Sequence, residues 1–200
     1  MIHFRSITRT GVLLFAAMLL TGCIGGRSPA VQFHNLSPMV TASGAPGVDP
    51  GPAVAVGPVI FPRSLRRSQI VIRTGPNSLE LDEFHRWAGS LESDFLDTLG
   101  SNLGALLSTD RVAVYPSEAR FPLDYRVVLD VDRFDGSPGG TLVLSVRWTI
   151  SAGDDAEAAV VKQSTIEQPV TGDTVDALVQ AHDAAVAQLS RQIADQIRSL

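Results

Sequence analysis

The hydrophobic pattern opens on an uninterrupted apolar run at 11–20 (GVLLFAAMLL), loses regularity between 24 and 52, and from 53 onward follows periods of two and of about four. Residues 53–61 (AVAVGPVIF) predict a strand broken by Gly57-Pro58. A bulge or a sheet edge is expected there, because proline cannot donate to a ladder. Ile70, Val71, Ile72 and Arg73 predict a second strand, 74–78 (TGPNS) a turn, and 79–81 the returning arm of a short hairpin. The period then changes. Leu91, Phe95, Leu99, Leu103 and Leu107 recur every four residues, with Leu96 and Leu106 beside them. Glu92, Asp94, Asp97, Ser101 and Asn102 take the other side, so the pattern predicts an amphipathic helix over 90–108.

A strand at 111–115 is bounded by Pro116. Residues 125–134 (YRVVLDVDRF) alternate, with Val127, Leu129 and Val131 on one face and Val128, Asp130 and Asp132 on the other. After a turn at 135–140 (DGSPGG), 141–150 (TLVLSVRWTI) return with Leu142, Leu144, Val146 and Trp148 on one face, and 158–166 supply a third arm. Asp173 reads as an N-cap for a terminal helix marked by Val175, Leu178, Val179, Val186, Leu189, Ile193 and Ile197, ending near Arg198. The order β-β-β-α-β-β-β-β-α predicts an α+β two-layer sandwich, a mainly antiparallel sheet with two long helices on one face, and a core containing Leu99, Leu103 and Ile193.

The opening run has a different meaning. Arg5 and Arg9 precede it, and Leu20-Thr21-Gly22-Cys23 follow. A positive start, a short apolar core and small residues before a cut site describe a secretory signal peptide over 1–22. Ten apolar residues are too few to span a bilayer, which takes about 20. The four-residue ending resembles the lipobox of bacterial lipoproteins. That resemblance implies that Cys23 receives a diacylglycerol on its thiol and, after cleavage, an acyl chain on its amino group. Ile24, in place of a retaining aspartate, implies sorting to the periplasmic face of the outer membrane. Residues 24–52 hold five glycines and five prolines, with Arg27 and Asp49 the only charges, so 23–52 read as a lipidated N-terminus and flexible tether ahead of a domain at 53–200. One island, 31–36 (VQFHNL), alternates like a short strand, and Phe33 and Leu36 are expected to dock on the domain.

Composition narrows the function classes. The chain of 200 residues is 44% hydrophobic and carries a formal charge of −5, against the clustered basic face of a nucleic-acid binder. Cleavage before Cys23 removes Arg5 and Arg9 and leaves 14 basic against 21 acidic side chains, a charge of −7. A single cysteine excludes an internal disulfide, and four histidines leave little material for a histidine metal centre. Asp130, Asp132 and Asp135 with Gly136 imitate a calcium loop, but Leu142 stands where the bidentate glutamate belongs. Asp130 and Asp132 read as the polar face of a strand and Asp135 as the opening of the turn. No Gly-x-Ser-x-Gly elbow and no phosphate-binding loop is present, so neither an enzyme nor a nucleotide-binding subunit is expected. No metal and no cofactor beyond the lipid on Cys23 is expected. His182 falls in the stripe of the terminal helix and reads as a residue at the edge of packing.

Residues 61–91 read FPRSLRRSQIVIRTGPNSLELDEFHRWAGSL. With Thr109-Asp110-Arg111-Val112, Asp124-Tyr125-Arg126-Val127, Arg133-Phe134-Asp135-Gly136 and Trp148, this run resembles the PqiC-like auxiliary lipoproteins of ABC-type, MCE-associated transport systems. The matching positions in the run are Pro62, Leu65, Arg67, Gln69, Ile70, Val71, Arg73, Asn77, Glu83, Arg86, Trp87, Ala88 and Leu91. Ser64, Arg66, Ser68 and Gly89-Ser90 depart from the family pattern. The resemblance implies a lipid-anchored auxiliary component that docks an intermembrane lipid transporter at the outer membrane and supports envelope integrity. MCE-domain components are the implied partners, and their oligomeric nature makes a homo-oligomer an expectation here. The alternative class is a structural envelope lipoprotein without a transport role; a lipid carrier would require an apolar cavity.

Pro62, Leu65, Arg66, Arg67 and Arg73 are the candidate docking residues, an unusual density of basic and apolar groups in an acidic chain. Against that stands a structural role, in which Arg67, Arg73 and Arg86 pair with Glu80, Asp82 and Glu83 to lock the hairpin. Trp87 reads as a helix-entry anchor against the sheet.

Overall fold

A computed structural model describes residues 29–41, 50–117, 121–153 and 158–200. The expected signal peptide at 1–22, Cys23, and positions 24–28 and 42–49 of the expected tether lie outside the described residues. The chain divides into two units, Met1–Ala30 and Val31–Leu200, and every element below belongs to the second. The island within the Gly/Pro-rich stretch is therefore part of the folded unit.

Among the described residues, eight strands and two helices follow in order. They are β1 (Gln32–His34), β2 (Val54–Ile60), β3 (Gln69–Gly75), β4 (Ser78–Trp87), α1 (Leu91–Leu107), β5 (Val112–Val114), β6 (Tyr125–Asp135), β7 (Thr141–Ala152), β8 (Ala158–Pro169) and α2 (Val175–Arg198). The class is α+β, as expected. The strands divide between two sheets, β1-β4-β3 and β5-β2-β6-β7-β8. The long pairings β6–β7, β7–β8 and β3–β4 are antiparallel, whereas β2 pairs in parallel with both β5 and β6, and β1 in parallel with β4.

The meander obeys the two-residue period. Val127, Leu129 and Val131 of β6 and Leu142, Leu144, Val146, Trp148 and Ile150 of β7 are buried on one face. A register shift between Val131 and Arg133 resets the alternation, so that Phe134 and Asp135 are also buried at the end of β6. This corrects the reading of Asp135 as a turn residue. The predicted break in β2 is a bulge between Val56 and Val59. Gly57 sits there at φ +106°, and a Cβ at that position would lie 2.7 Å from the Cβ of Tyr115, so both conformation and space demand glycine.

The two helices pack on each other and on the five-stranded sheet. Leu99, Leu103 and Ile193 are fully buried among them. A polar seam ties α2 to the edge strand β8: Trp148 Nε1 donates to Ser164 Oγ (2.9 Å), Ser164 Oγ to Gln192 Oε1 (2.6 Å), and Gln168 Nε2 to Gln188 Oε1 (2.6 Å). The N-cap of α2 is Thr174, not Asp173; the Thr174 hydroxyl accepts from the Ala177 amide at 3.2 Å. None of the helices among the described residues is long and apolar enough to cross a membrane.

Candidate docking face

The family-motif run folds into the loop 61–68 and the pair β3–β4. Pro62 and Leu65 shape the loop: the Leu65 amide donates to the Pro62 carbonyl (3.0 Å), and the Leu65 side chain is buried. Leu65 thus holds the loop down and shows only a trace of surface, at the floor of the adjoining cleft. The loop faces the start of α1 across a cleft of about 350 Å³ lined by Arg66, Arg67 and Ser68 on one side and Gly89, Ser90 and Glu92 on the other. Arg66 Nε lies 2.8 Å from Glu92 Oε1. Glu92 stands in the first helical turn, where the dipole favours an anion. Arg67 is exposed and makes no ion pair among the described residues.

Arg73 behaves differently. Its Nε and Nη2 reach Asp135 Oδ1 (2.5 Å) and Oδ2 (2.9 Å), a bidentate pair that crosses from the three-stranded to the five-stranded sheet. Arg133 Nε also donates to Asp135 Oδ1 at 3.0 Å. Burial pushes the Asp135 carboxyl up, but the hydrogen bonds and charges of Arg73 and Arg133 outweigh it and hold the carboxyl below its ordinary range. The Arg73 amide donates to the Gly136 carbonyl (2.7 Å), so backbone and side chain fasten the same junction. The expected partners Glu80 and Asp82 do not hold Arg73. Arg86 does approach Glu83, at 3.8 Å.

Trp87 closes β4, buried, with its ring edge-on to His182 at 5.5 Å. His182 is not at the edge of packing. It is 2% exposed, and its Nδ1 lies 2.8 Å from the Leu178 carbonyl. Burial pushes it down to about 4.

A strap missed in the sequence crosses both helices. After β1, Leu36 is buried while Phe33 stays 65% exposed, so only one of the two expected docking residues docks. The Ser37 amide donates to Asp183 Oδ1 (2.9 Å) on α2, and the Val40 amide to Asn102 Oδ1 (3.1 Å) on α1. The Leu36 backbone also hydrogen-bonds the Asp94 carboxylate. Asn102, placed on the polar side by periodicity, is fully buried beneath this strap. Burial pushes Asp94 up and Asp183 up to about 6. Asn102 and Asp183 each stand three and four positions from apolar residues of their own helix, but nothing local tells that a distant segment will cover them.

The family model described as "ABC-type transport auxiliary lipoprotein component" matches residues 34–194. The chain belongs to this family. The match begins within β1 and runs through most of α2, so it takes in the loop, both sheets and the strap. Among solved structures, an uncharacterized protein has 21% identity and a TM-score of 0.67 over 84% of this chain and 99% of its own. A Xanthomonas campestris protein of the DUF330 family has 17% identity and a TM-score of 0.65 over 82% of this chain and 93% of its own. Both likenesses are of fold. No curated protein matches the sequence. As a member of the auxiliary lipoprotein family, the chain is a membrane-anchored envelope component associated with ABC transporter subunits, and the family is not one of known enzymes.

Proposed function

We propose that this auxiliary lipoprotein is the outer-membrane partner of an MCE-type intermembrane lipid transporter. Cys23 holds it to the periplasmic face of the outer membrane by its acyl chains, and the loop at 61–68 docks on the MCE component. The family match carries the transport role. The lipobox and Ile24 support the anchor and its address. What supports the docking face is the division of labour among its arginines: Arg73 is committed to Asp135, whereas Arg67 is exposed and Arg66 is held only by Glu92 at the rim of the cleft. An acidic partner patch would meet Arg66 and Arg67, speeding association in a salt-sensitive way. Pro62 and Leu65 set the loop's shape for that contact. Repeated assembly of the lipoprotein on an oligomeric partner is part of the same reading.

The test is Arg66→Glu with Arg67→Glu, measured for Tm and for pull-down of the cognate MCE protein. The Arg66–Glu92 pair is exposed and contributes no more than about 1 kcal/mol, so stability should change little. Lost binding with a nearly unchanged Tm supports docking here. Unchanged binding removes docking through Arg66 and Arg67 and places the contact elsewhere on the domain; no pull-down by the parent protein either would favour a structural envelope role. Neighbouring genes for a permease, an ATPase and an MCE protein would favour the transport reading independently.

A further inference from the structure

Three apolar side chains stand in solvent on the three-stranded sheet: Val31 (40% exposed), Phe33 (65%) and Phe84 (41%). They are neighbours by register. Gln32 pairs with His85 and Phe33 with Arg86, so Val31 and Phe33 flank the stretch of β4 that carries Phe84. Their display is built into the fold. Between the pairs Gln69–Arg86 and Val71–Leu81, β4 takes five steps while β3 takes two, so β4 bulges there. Asp82 Oδ1 fixes the bulge by accepting from the amides of Phe84 (2.8 Å) and His85 (2.9 Å). On the other strand, the Ala88 amide donates to the His34 carbonyl (2.9 Å), and buried Leu36 and the Ser37–Asp183 bond hold the end of β1. Phe33 is therefore exposed on a segment tied down at both partners. Contiguous exposed apolar groups on a soluble face mark a binding surface.

We propose that Val31, Phe33 and Phe84 form a membrane-contacting patch that seats the domain on the lipid surface to which Cys23 anchors it. The inference rests on the reading of Cys23 as the lipidated residue. Covalent length argues for lipid over any other occupant. Seven residues separate Cys23 from Val31, and a fully extended chain over that interval reaches at most about 29 Å. A domain spanning Val31–Leu200 is about 40 Å across. A leash shorter than the domain's own diameter keeps the side bearing Val31 toward the bilayer. That side carries two phenylalanines, which partition into the headgroup and acyl boundary. The anchor supplies attachment and the patch supplies orientation, which leaves the rest of the domain in a fixed pose toward the periplasm.

The experiment uses the chain from Cys23 onward, which contains the whole folded unit. It is coupled through the Cys23 thiol to a maleimide-bearing lipid in phosphatidylcholine vesicles, so that it does not depend on lipidation in the cell. Tryptophan is introduced as Phe33→Trp, as Phe84→Trp, and, for control, as Val161→Trp on β8, where the native side chain is 62% exposed. The native Trp87 and Trp148 are buried and give a constant background. The expected result is a shift of the new emission to shorter wavelength and quenching by dibrominated phosphatidylcholine several-fold stronger at 33 and 84 than at 161. Equal quenching at all three positions overturns the proposal. A wavelength shift that grows with surface density but ignores the brominated lipid identifies a second copy as the occupant and overturns it as well. Mass spectrometry of the protein from cell envelopes judges the anchor separately: an unmodified Cys23 would sink the lipoprotein reading without deciding the vesicle result.

Discussion

The two sheets are built by opposite means. The core of the five-stranded sheet is β6–β7–β8, three long strands joined by short connections, with one face buried along most of β7. Its register is set locally, because a slip of one residue would turn Leu142, Leu144, Val146 and Trp148 to solvent. The three-stranded sheet has little core of its own. Its edge strand β1 is three residues long and comes from some 50 positions away, and β3 is fastened to β6 by the Arg73–Asp135 pair. Both sheets bury apolar side chains in one shared core, Ile70, Val71 and Trp87 from the smaller sheet, but the smaller sheet depends in addition on a few directional contacts over long sequence separations. The outer face of the smaller sheet leaves Phe33 and Phe84 in solvent.

The largest expected effect is in the shared core. Leu103→Ala removes a fully buried side chain between α1 and its neighbours and should cost about 2 to 5 kcal/mol in urea unfolding. A loss under 1 kcal/mol would mean that the helix layer is not what holds the five-stranded sheet.

Arg73→Ala attacks the other sheet. Asp135 keeps Arg133, so the loss should be about 1 to 3 kcal/mol rather than the full penalty of an orphaned buried charge. Hydrogen exchange should rise in β3 while β7 stays protected. Equal loosening of both strands would show that the two sheets open as one unit and would erase the contrast.

Asp183→Asn probes the strap. The amide oxygen still accepts from Ser37, but the buried charge is gone, so at pH 7.5 the variant should be more stable by about 1 to 2 kcal/mol. The pH profile gives a sharper readout. Asp183, raised to about 6, contributes stability that is present below its ordinary 3.8 and lost as pH rises through 6. His182, lowered from 6.5 to about 4, contributes stability that is present above 6.5 and lost as pH falls through 4. The two oppose each other between about pH 4 and 6. Removing Asp183 should therefore expose a steeper loss of Tm on acidification. A parallel profile in variant and parent would show that the Asp183 carboxylate is not held buried beside α2.

The smallest stability effect belongs to the patch. Phe33→Ser should change unfolding free energy by less than about 0.5 kcal/mol, because that ring is mostly in water already. A loss comparable to that of Leu103→Ala would make Phe33 a structural residue and end its candidacy for lipid contact.

Much of the five-stranded sheet and both helices was legible in the periodicity, as Val127, Leu129, Leu144, Trp148, Leu99 and Ile193 show. The ends of elements were less so. β4 reads as three residues because Asp82, Glu83 and His85 break its alternation, yet it runs to Trp87, since the bulge carries those polar groups out of register. The loop at 61–68 was visible as basic and apolar density. Its internal division was not, because nothing near Arg73 announces that its partner stands 62 positions later.

The elements, the helical and strand faces, the signal-and-cysteine pattern and the family can all be read along the chain, because they depend on local spacing and on motifs. The tertiary structure decided which polar residues are buried and which apolar ones are not. Asp135, Asn102, Asp183 and His182 go inside, and Phe33 and Phe84 stay out. The physical reason is that burial of a polar group depends on a partner, and those partners, Arg73, the strap amides and the Leu178 carbonyl, are brought together by the fold of the whole chain.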